Sequence, residues 1–194
     1  MSAGTLKVTK AGNDGIKSDK SITISGSATV NITATDDGIN APSISISGGT
    51  VTVSVGTSSG NHGIMASTAT SSTLTISGGT VTVSKSYEGI QASKLTVSGG
   101  TTMVTSTDDG INGPNSSSTM TFSKGDIYVH AGGDGIDCNG TGSKCITFSG
   151  ANVIVVSTSG GNSALDVDGT YSYTGGVLAL ICPQGMTTEI TGRC

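Results

Sequence analysis

The sequence predicts an all-β fold, a right-handed parallel β-helix of about seven coils with three short strands in each coil. A phrase ending in Gly-Ile recurs six times between Asn13 and Ile136, and its glycines are 23, 25, 26, 21 and 25 residues apart. Ser163-Ala164-Leu165-Asp166 is a weaker seventh copy. A fixed period of 20–50 residues is typical of solenoids, in which stacked coils bury a shared core.

Each repeat contains two alternating segments before its Gly-Ile phrase. Residues 43–47 and 50–53 are examples, and their apolar residues recur at every second position, as in half-buried strands. Stacking the repeats predicts four inward columns. One column starts at Ile24, a second at Val30, a third at Ile32 and a fourth at Ile16, and only Thr102 interrupts their apolar character. Handedness is expected to be right-handed, as in parallel crossover connections generally.

Glycines and chain length complete the fold prediction. Gly-Gly pairs at 48–49, 78–79, 99–100 and 175–176 are predicted corners, where a positive φ is tolerated. The glycine of each Gly-Ile phrase is a predicted third corner. We expect a single domain over 1–194, with a partial coil at 1–11, repeating coils at 12–180 and a disulfide-stapled tail at 181–194. No segment has helical periodicity, so no capping helix is expected.

Composition excludes two classes of partner. The formal net charge is −4 and no basic patch exists, which argues against nucleic acid. No apolar run approaches 18 residues, which argues against a membrane span. Met1 to Val8 do not resemble a secretory signal, so we interpret the numbering as that of a mature or recombinant chain.

The cysteines and sequons favour a secreted protein. The four cysteines lie in the last third of the chain, and two disulfides in an oxidising compartment would explain their even number. Of three pairings, we favour Cys138 with Cys145 and Cys182 with Cys194, and the alternative is four buried thiols. Three sequons, at Asn31, Asn115 and Asn139, could carry glycans in a suitable host. We therefore expect a secreted, extracellular or cell-surface protein.

The polar residues around each Gly-Ile phrase indicate a metal site. Carboxylates about 5 Å apart repel by roughly 1 kcal/mol in water, so acidic side chains stacked on successive coils need a compensating charge. Calcium accepts 6–8 oxygen ligands of this kind. The predicted ligands form two groups: Asp14, Asp36, Asp37 and Asn40, and Asp108, Asp109, Asn112, Asp134 and Asp137. The alternative is that Asp and Asn before Gly only form turns. His62 and His130 are interpreted as surface or turn residues.

Repeated Asp-Asp-Gly-Ile followed by Ser-Gly-Gly-Thr-Val resembles a secreted, calcium-binding, right-handed β-helix family of cellulolytic clostridia. The resemblance covers roughly residues 12–180. It implies a carbohydrate-binding protein that prefers acidic sugars such as polygalacturonate, and calcium bound by the motif aspartates, here Asp14, Asp36, Asp37, Asp108, Asp109 and Asp134. Asn61-His62 and Tyr87-Glu88 depart from Asp-Asp, and the four cysteines lie outside the family pattern.

Three other functions compete with acidic-polysaccharide binding. Pectate lyases and polygalacturonases share the predicted fold, but the chain lacks Gly-His-Gly and Arg-Ile-Lys, so we expect no enzyme. Ice binding would use the outward ladder Thr29, Thr50, Thr80 and Thr101, which ends at Asp126. An extracellular fibre would form if uncapped coils stack end to end, and this structural function is the main alternative.

Overall fold

The computed structural model describes residues 1–67 and 69–183. Sixteen strands follow one another in this part of the chain: β1 (Thr5–Ala11), β2 (Ile16–Lys17), β3 (Ser21–Ile24), β4 (Thr29–Ala34), β5 (Ile39–Asn40), β6 (Ser43–Ser54), β7 (His62–Ala66), β8 (Thr73–Lys85), β9 (Glu88–Ala92), β10 (Lys94–Thr105), β11 (Ile111–Gly113), β12 (Thr119–Ala131), β13 (Ile136–Cys138), β14 (Ile146–Ser157), β15 (Leu165–Val167) and β16 (Tyr171–Ile181). The described residues contain no helix. None of them therefore forms a helix long and apolar enough to cross a membrane.

The strands form two parallel sheets, which confirms a β-solenoid of about seven turns. The larger sheet has the order β1-β4-β6-β8-β10-β12-β14-β16, with β3 also paired to β6. The smaller sheet has the order β15-β13-β11-β9-β7-β5-β2 and contains the Gly-Ile phrases. The chain alternates between the sheets, so each coil adds one layer to both.

Most coils contain two strands where three were predicted. From β6 onward, the first two segments of a coil join into one strand of 11–13 residues across the Gly-Gly corner. The register shifts at these corners, as between Ile46 and Thr50. Gly49 has φ 79° and Gly79 has φ 85°, so the corner bends the strand without ending it.

The predicted inward columns form the core. The register aligns Ile24 with Ile46, and the column continues through Ile76 and Val97 to Phe122. Phe122 and Phe148 stack with their ring centroids 5.2 Å apart. Thr102 is buried in its apolar column, and its hydroxyl has no hydrogen-bond partner among the described residues.

The glycine of the Gly-Ile phrase is required for close packing and not for a positive φ. A Cβ built on Gly110 would lie 2.1 Å from Cγ1 of Val129 and 2.6 Å from the carbonyl oxygen of Gly135. The same collision occurs at Gly38, where Val53 Cγ1 would be 2.2 Å away. Five of the six phrases pack their glycine directly against an inward valine, and the first packs Gly15 against Ile32, which fixes the position of the polar residues just before each glycine.

Candidate functional site

The polar residues that precede the strands of the smaller sheet stack along one side of the solenoid, which we call the acidic edge. Backbone hydrogen bonds set this stacking: Gly15 N donates to Asp37 O over 2.8 Å, and Gly110 N donates to Asp134 O over 2.9 Å. Ile16, Ile39 and Ile64 are in register on the inner side. Side chains separated by 21–26 residues in sequence thus become neighbours.

The first acidic cluster consists of Asp14, Asp36 and Asp37, each of which offers a carboxylate oxygen within 4.8 Å of the others. Lys17 Nζ lies 2.8 Å from Asp14 Oδ2 and forms an ion pair there. Burial, followed by repulsion from Asp37 and Asp14, raises the pKa of Asp36. Asn40 Nδ2 donates a 2.7 Å hydrogen bond to Asp37 Oδ2.

His62 connects the first acidic cluster to the middle of the edge, so its interpretation as a surface or turn residue is wrong. It is only 7% exposed, and its Nδ1 lies 2.8 Å from Asp37 Oδ1. Its Nε2 lies 3.5 Å from Glu88 Oε2. Burial lowers the pKa of His62, but hydrogen bonds to Asp37 and Glu88 outweigh burial and raise it to about 9. His62 is therefore a cation at neutral pH, held between two carboxylates.

Glu88 is the second partner of His62. Burial opposes its ionisation, but hydrogen bonds from His62 and Asn112 lower its pKa. Asn112 Nδ2 donates to Glu88 Oε2 over 2.9 Å. The middle of the acidic edge thus has its negative charge compensated by a side chain of the protein.

The second acidic cluster consists of Asp108, Asp109, Asp134, Asp137 and Asp166. Asp134 N donates to Asp109 Oδ1 over 2.8 Å, Ser163 N donates to Asp134 Oδ1, and Asp137 is in register with Asp166. Among residues 1–67 and 69–183, none of these carboxylates forms an ion pair with a Lys, Arg or His. The cluster therefore collects negative charge without a cation from the described chain.

This uncompensated charge changes the proton affinity of the cluster. Burial, followed by repulsion from Asp108 and Asp134, raises the pKa of Asp109 to about 7, despite the hydrogen bond from Asp134 N. Burial, followed by repulsion from Asp109 and Asp166, raises the pKa of Asp137 to about 7. Burial also raises the pKa of Asp134. Such carboxylates need either protons or another cation.

Asn112 adds an oxygen to the same place. It is 8% exposed and lies in register with Asp137. Its Nδ2 donates towards Glu88 and to Gln91 Oε1, 3.3 Å away, so its Oδ1 is turned away from that coil. Oδ1 is buried and accepts no hydrogen bond from any described residue. A buried amide oxygen without a donor is well suited to a metal ion.

A glycine explains why the polar pair is incomplete in the sixth coil. A Cβ at Gly133 would lie 2.6 Å from Asp109 Oδ1 and 2.7 Å from Asp108 Oδ1. Any larger residue there would push apart the two carboxylates. Gly133 therefore leaves room for the two carboxylates of the second acidic cluster.

Among the described residues, only Asp14, Asp36 and Asp37 of the predicted metal ligands form a set of three whose carboxylate oxygens lie within 4.8 Å of one another. The second predicted group lies along neighbouring coils without forming such a set, and metal binding by either group stays a prediction. Sequence analysis missed three residues of the edge: His62, Glu88 and Asp166. Glu88 and Asp166 occupy the same columns as predicted ligands, so column position was the signal that could have identified them.

The predicted disulfide between Cys138 and Cys145 is not present in the structure, and this pairing stays a prediction. Both residues are buried thiols. Burial, with a smaller contribution from the adjacent Cys145, raises the pKa of Cys138 to about 12. The contribution from Cys145 shows that the two side chains lie close together. Cys182 follows β16, and Cys194, its predicted partner, lies outside the described residues.

Two of the three predicted glycosylation sites have their amide nitrogens engaged in hydrogen bonds. Asn115 Nδ2 donates to Ser93 Oγ over 2.7 Å, and Asn139 Nδ2 donates to Asp137 Oδ2 over 3.2 Å. Asn31 lies within β4 with its side chain half-buried. A glycan at Asn115 or Asn139 would displace these contacts.

Comparison with known proteins gives one similarity. A family model for carbohydrate-binding domain-containing proteins matches residues 1–96, just under half of the 194 residues. Comparisons with curated proteins and with solved structures gave no match. The matched half contains the first acidic cluster, His62 and Glu88, and the second acidic cluster follows it. The N-terminal half of this solenoid is thus similar to a carbohydrate-binding domain.

Proposed function

We propose that the protein is a non-catalytic, extracellular calcium-binding solenoid that binds acidic polysaccharide such as polygalacturonate. The observation that carries this proposal is the second acidic cluster, in which half-buried carboxylates lie on coils next to the unpartnered Asn112 Oδ1, with no cation from the described chain. The similarity of residues 1–96 to carbohydrate-binding domains supports a sugar ligand.

The donor set fits calcium. Asp109, Asp134, Asp137 and Asn112 would hold the ion, since calcium prefers carboxylate and amide oxygens over nitrogen or sulfur ligands. Asp108 and Asp166 would add negative charge close to it. The first acidic cluster offers a second set of oxygens, but Lys17 and His62 already compensate part of its charge.

Calcium also accounts for binding an acidic sugar to an acidic protein. The net charge of −4 opposes the approach of a polyuronate. A bound divalent cation reverses the local sign of the charge and supplies coordination positions that a uronate carboxylate can fill. Extracellular calcium modules bind with Kd values of about 10⁻⁴–10⁻³ M, which suits sites assembled from solvent-accessible edges.

The proposal assigns no reaction to the site. Lys17 lies at the acidic edge, but its ammonium group is paired with Asp14, so it is poorly suited to act as a base. His62 is protonated and held between two carboxylates. Cleavage of polygalacturonate by the purified protein would contradict this part of the proposal.

The test is calcium titration of the wild-type protein and of a matched pair of variants. Asp137→Asn removes a carboxylate of the second acidic cluster, whereas Asp126→Asn removes one from the larger sheet, where it accepts a hydrogen bond from Asn152. We expect Asp137→Asn to weaken calcium binding by at least about tenfold and to reduce calcium-dependent retention on polygalacturonate. Asp126→Asn should leave both unchanged. Wild-type protein that binds no calcium at 10 mM, on the order of tenfold above typical extracellular affinities, would refute the proposal.

A second candidate function is a fibre subunit, and the ends of the core favour it. Inward residues of the first and last coils, such as Leu6 and Leu180, are partly exposed, whereas Val155 in an interior coil is fully buried. β1 pairs only with β4, and β16 pairs only with β14, within the described residues. Open strands and an exposed core favour head-to-tail stacking.

Sedimentation velocity over a range of protein concentrations tests this second candidate. A fibre subunit should form species that lengthen with concentration, and Leu6→Lys should prevent it by placing a charge at the open end. Thr52→Lys, on an interior coil, is the control. A wild-type protein that stays monomeric at about 100 μM, well above the affinities of stable assemblies, would exclude a fibre.

A further inference from the structure

The outer face of the larger sheet changes character in the C-terminal half. One outward column contains Thr52 and Thr82, and then Met103, Tyr128 and Ile154 in register. Tyr128 is 44% exposed and Met103 is 37% exposed. An aromatic ring with apolar neighbours therefore stands where the earlier coils expose threonine.

These residues line a shallow groove of about 290 Å³. Met103 and Ile154 flank Tyr128 on the neighbouring strands, and Thr105, His130 and Val156 line one side. On the other side of Tyr128, the next outward column contains Asp126 and Asn152, which are joined by a 2.8 Å hydrogen bond. The groove thus has an apolar floor, Thr105 and His130 as the polar residues of its lining, and the Asp126–Asn152 pair outside it in the next column.

From this groove we infer a binding site for an uncharged sugar, with Tyr128 stacked on the apolar face of a pyranose ring. The inference rests on the proposed function only in the class of ligand. A pyranose ring has an apolar C–H face, which matches the floor of the groove, and a rim of hydroxyls, for which Thr105 and His130 are the polar partners in the lining. Tyrosine combines an apolar body with a hydrogen-bonding end and suits such a ligand.

Size and charge select a sugar over other occupants. Small-molecule sites have volumes of about 300–1,000 Å³, and the groove, at about 290 Å³, lies just below this range, which suits one sugar ring. A stable protein interface buries about 800 Å² on each partner, far more than the exposed parts of Tyr128, Met103 and Ile154 supply. Among the described residues, no Lys or Arg lines the groove, so this part of the chain offers a uronate carboxylate no Lys or Arg partner there.

The groove is separate from the acidic edge in its position, and we expect it to differ from the edge in needing no calcium. Its residues belong to β10, β12 and β14 of the larger sheet, whereas the acidic edge precedes strands of the smaller sheet. It also lies beyond residues 1–96, which the carbohydrate-binding family model matches. Binding in the groove should therefore need no calcium.

The experiment measures binding of cellohexaose, xylohexaose and mannohexaose by calorimetry in EDTA. Wild-type protein should bind at least one of them, and Tyr128→Thr should weaken that binding by at least about fivefold, as expected for loss of one stacked ring. Threonine is the residue at this column in other coils, so this variant should keep the fold, as an unchanged melting temperature will verify. Tyr128→Phe should retain binding, and Thr52→Ala is a control on the same column away from the groove.

Each outcome decides the inference. The inference is overturned if the wild type binds none of the three sugars, or if Tyr128→Thr binds them as tightly as the wild type does. Calcium-dependent retention on polygalacturonate, measured in parallel, should be the same for wild type and Tyr128→Thr. If the wild-type protein binds a neutral sugar but is not retained on polygalacturonate, the acidic-polysaccharide proposal is wrong and the groove inference holds. If it is retained on polygalacturonate but binds no neutral sugar, the groove inference is wrong and the acidic-polysaccharide proposal holds.

Discussion

The two acidic clusters have the same origin in the sequence but differ in how their charge is compensated. In the first, Lys17 pairs with Asp14, and protonated His62 is held against Asp37. In the second, five carboxylates have no cationic side chain as a partner among the described residues, and the pKa values of Asp109 and Asp137 rise to about 7. Each cluster contains three aspartates of the repeated motif, but only the second has no side-chain cation from the described part of the chain to compensate their charge. Motif aspartates alone therefore do not predict which cluster needs a metal ion.

The largest expected effect is a loss of folding stability on removal of the protonated side chain of His62. His62→Ala leaves Asp37 and Glu88 buried without their shared partner, and breaking a buried pair in this way costs about 3–5 kcal/mol. Urea denaturation in EDTA measures the loss. The control is His130→Ala, since His130 is exposed, and its effect should be below about 0.5 kcal/mol. Similar small losses for both variants would show that His62 does not compensate the edge.

Calcium should stabilise the protein mainly through the second acidic cluster. At 100 times Kd, a ligand that binds only the folded state contributes about 2.7 kcal/mol to the free energy of unfolding. Thermal melts with calcium and with EDTA measure this difference. Asp109→Asn with Asp137→Asn should remove most of it, whereas Asp36→Asn should remove little. A larger loss in Asp36→Asn would reverse the comparison between the clusters.

The pH dependence in EDTA should follow from the raised pKa values. Carboxylates with a folded pKa of about 7, above the usual 3.8, destabilise the fold as pH rises from 3.8 through 7. His62, with a folded pKa of about 9 against the usual 6.5, stabilises fully below 6.5, and this stability is lost as pH rises through 9. The lowered pKa of Glu88 acts oppositely, but below its usual 4.5.

We therefore expect the melting temperature in EDTA to fall steadily between pH 6 and pH 9, a window set by these shifts. Asp109→Asn with Asp137→Asn should flatten the lower part of the curve, and His62→Ala the upper part. Saturating calcium should oppose the fall near pH 7, because the ion binds deprotonated carboxylates. A melting temperature that rises with pH in EDTA would contradict the assignment of both groups.

The smallest effect is expected at Lys17, which is exposed and pairs with Asp14 three residues earlier. Lys17→Gln should change stability little, since exposed ion pairs contribute little. It should strengthen calcium binding at the first acidic cluster by at most about fivefold, the Coulomb effect of one charge in water. Calorimetric titration in the Asp109→Asn, Asp137→Asn background isolates this cluster. A larger gain would mean that Lys17, and not His62, limits the first cluster.

Much of the fold followed from the sequence because the repeat imposes it. The inward columns at Ile24 and Val30 could be identified from alternation and period alone. The joining of two segments across Gly48-Gly49 could not, since a positive φ at a corner is compatible both with a strand that ends and with one that bends. The role of the Gly-Ile glycine was also misjudged, because the valine that it contacts comes from another part of the sequence.

The site was predictable in its membership but not in its charge state. The aspartates of both clusters were identified from their columns, with the exception of Asp166. The burial of His62 between Asp37 and Glu88 depends on contacts 25 and 26 residues away, which no local pattern encodes. The exposure of Tyr128 was likewise hidden, because composition counts aromatic residues without showing which of them share an open face.

The contact between each Gly-Ile glycine and an inward valine or isoleucine makes the coil a replaceable unit, or cassette. Gly110 packs on Val129 and Gly38 on Val53 in the same way, so the joint between adjacent coils is nearly identical along the stack. A whole coil could then be duplicated, deleted or exchanged with its neighbours still fitting, whichever polar pair it bears. Varying the order of such cassettes would set the distance between charged sites in steps of one coil, about 4.8 Å.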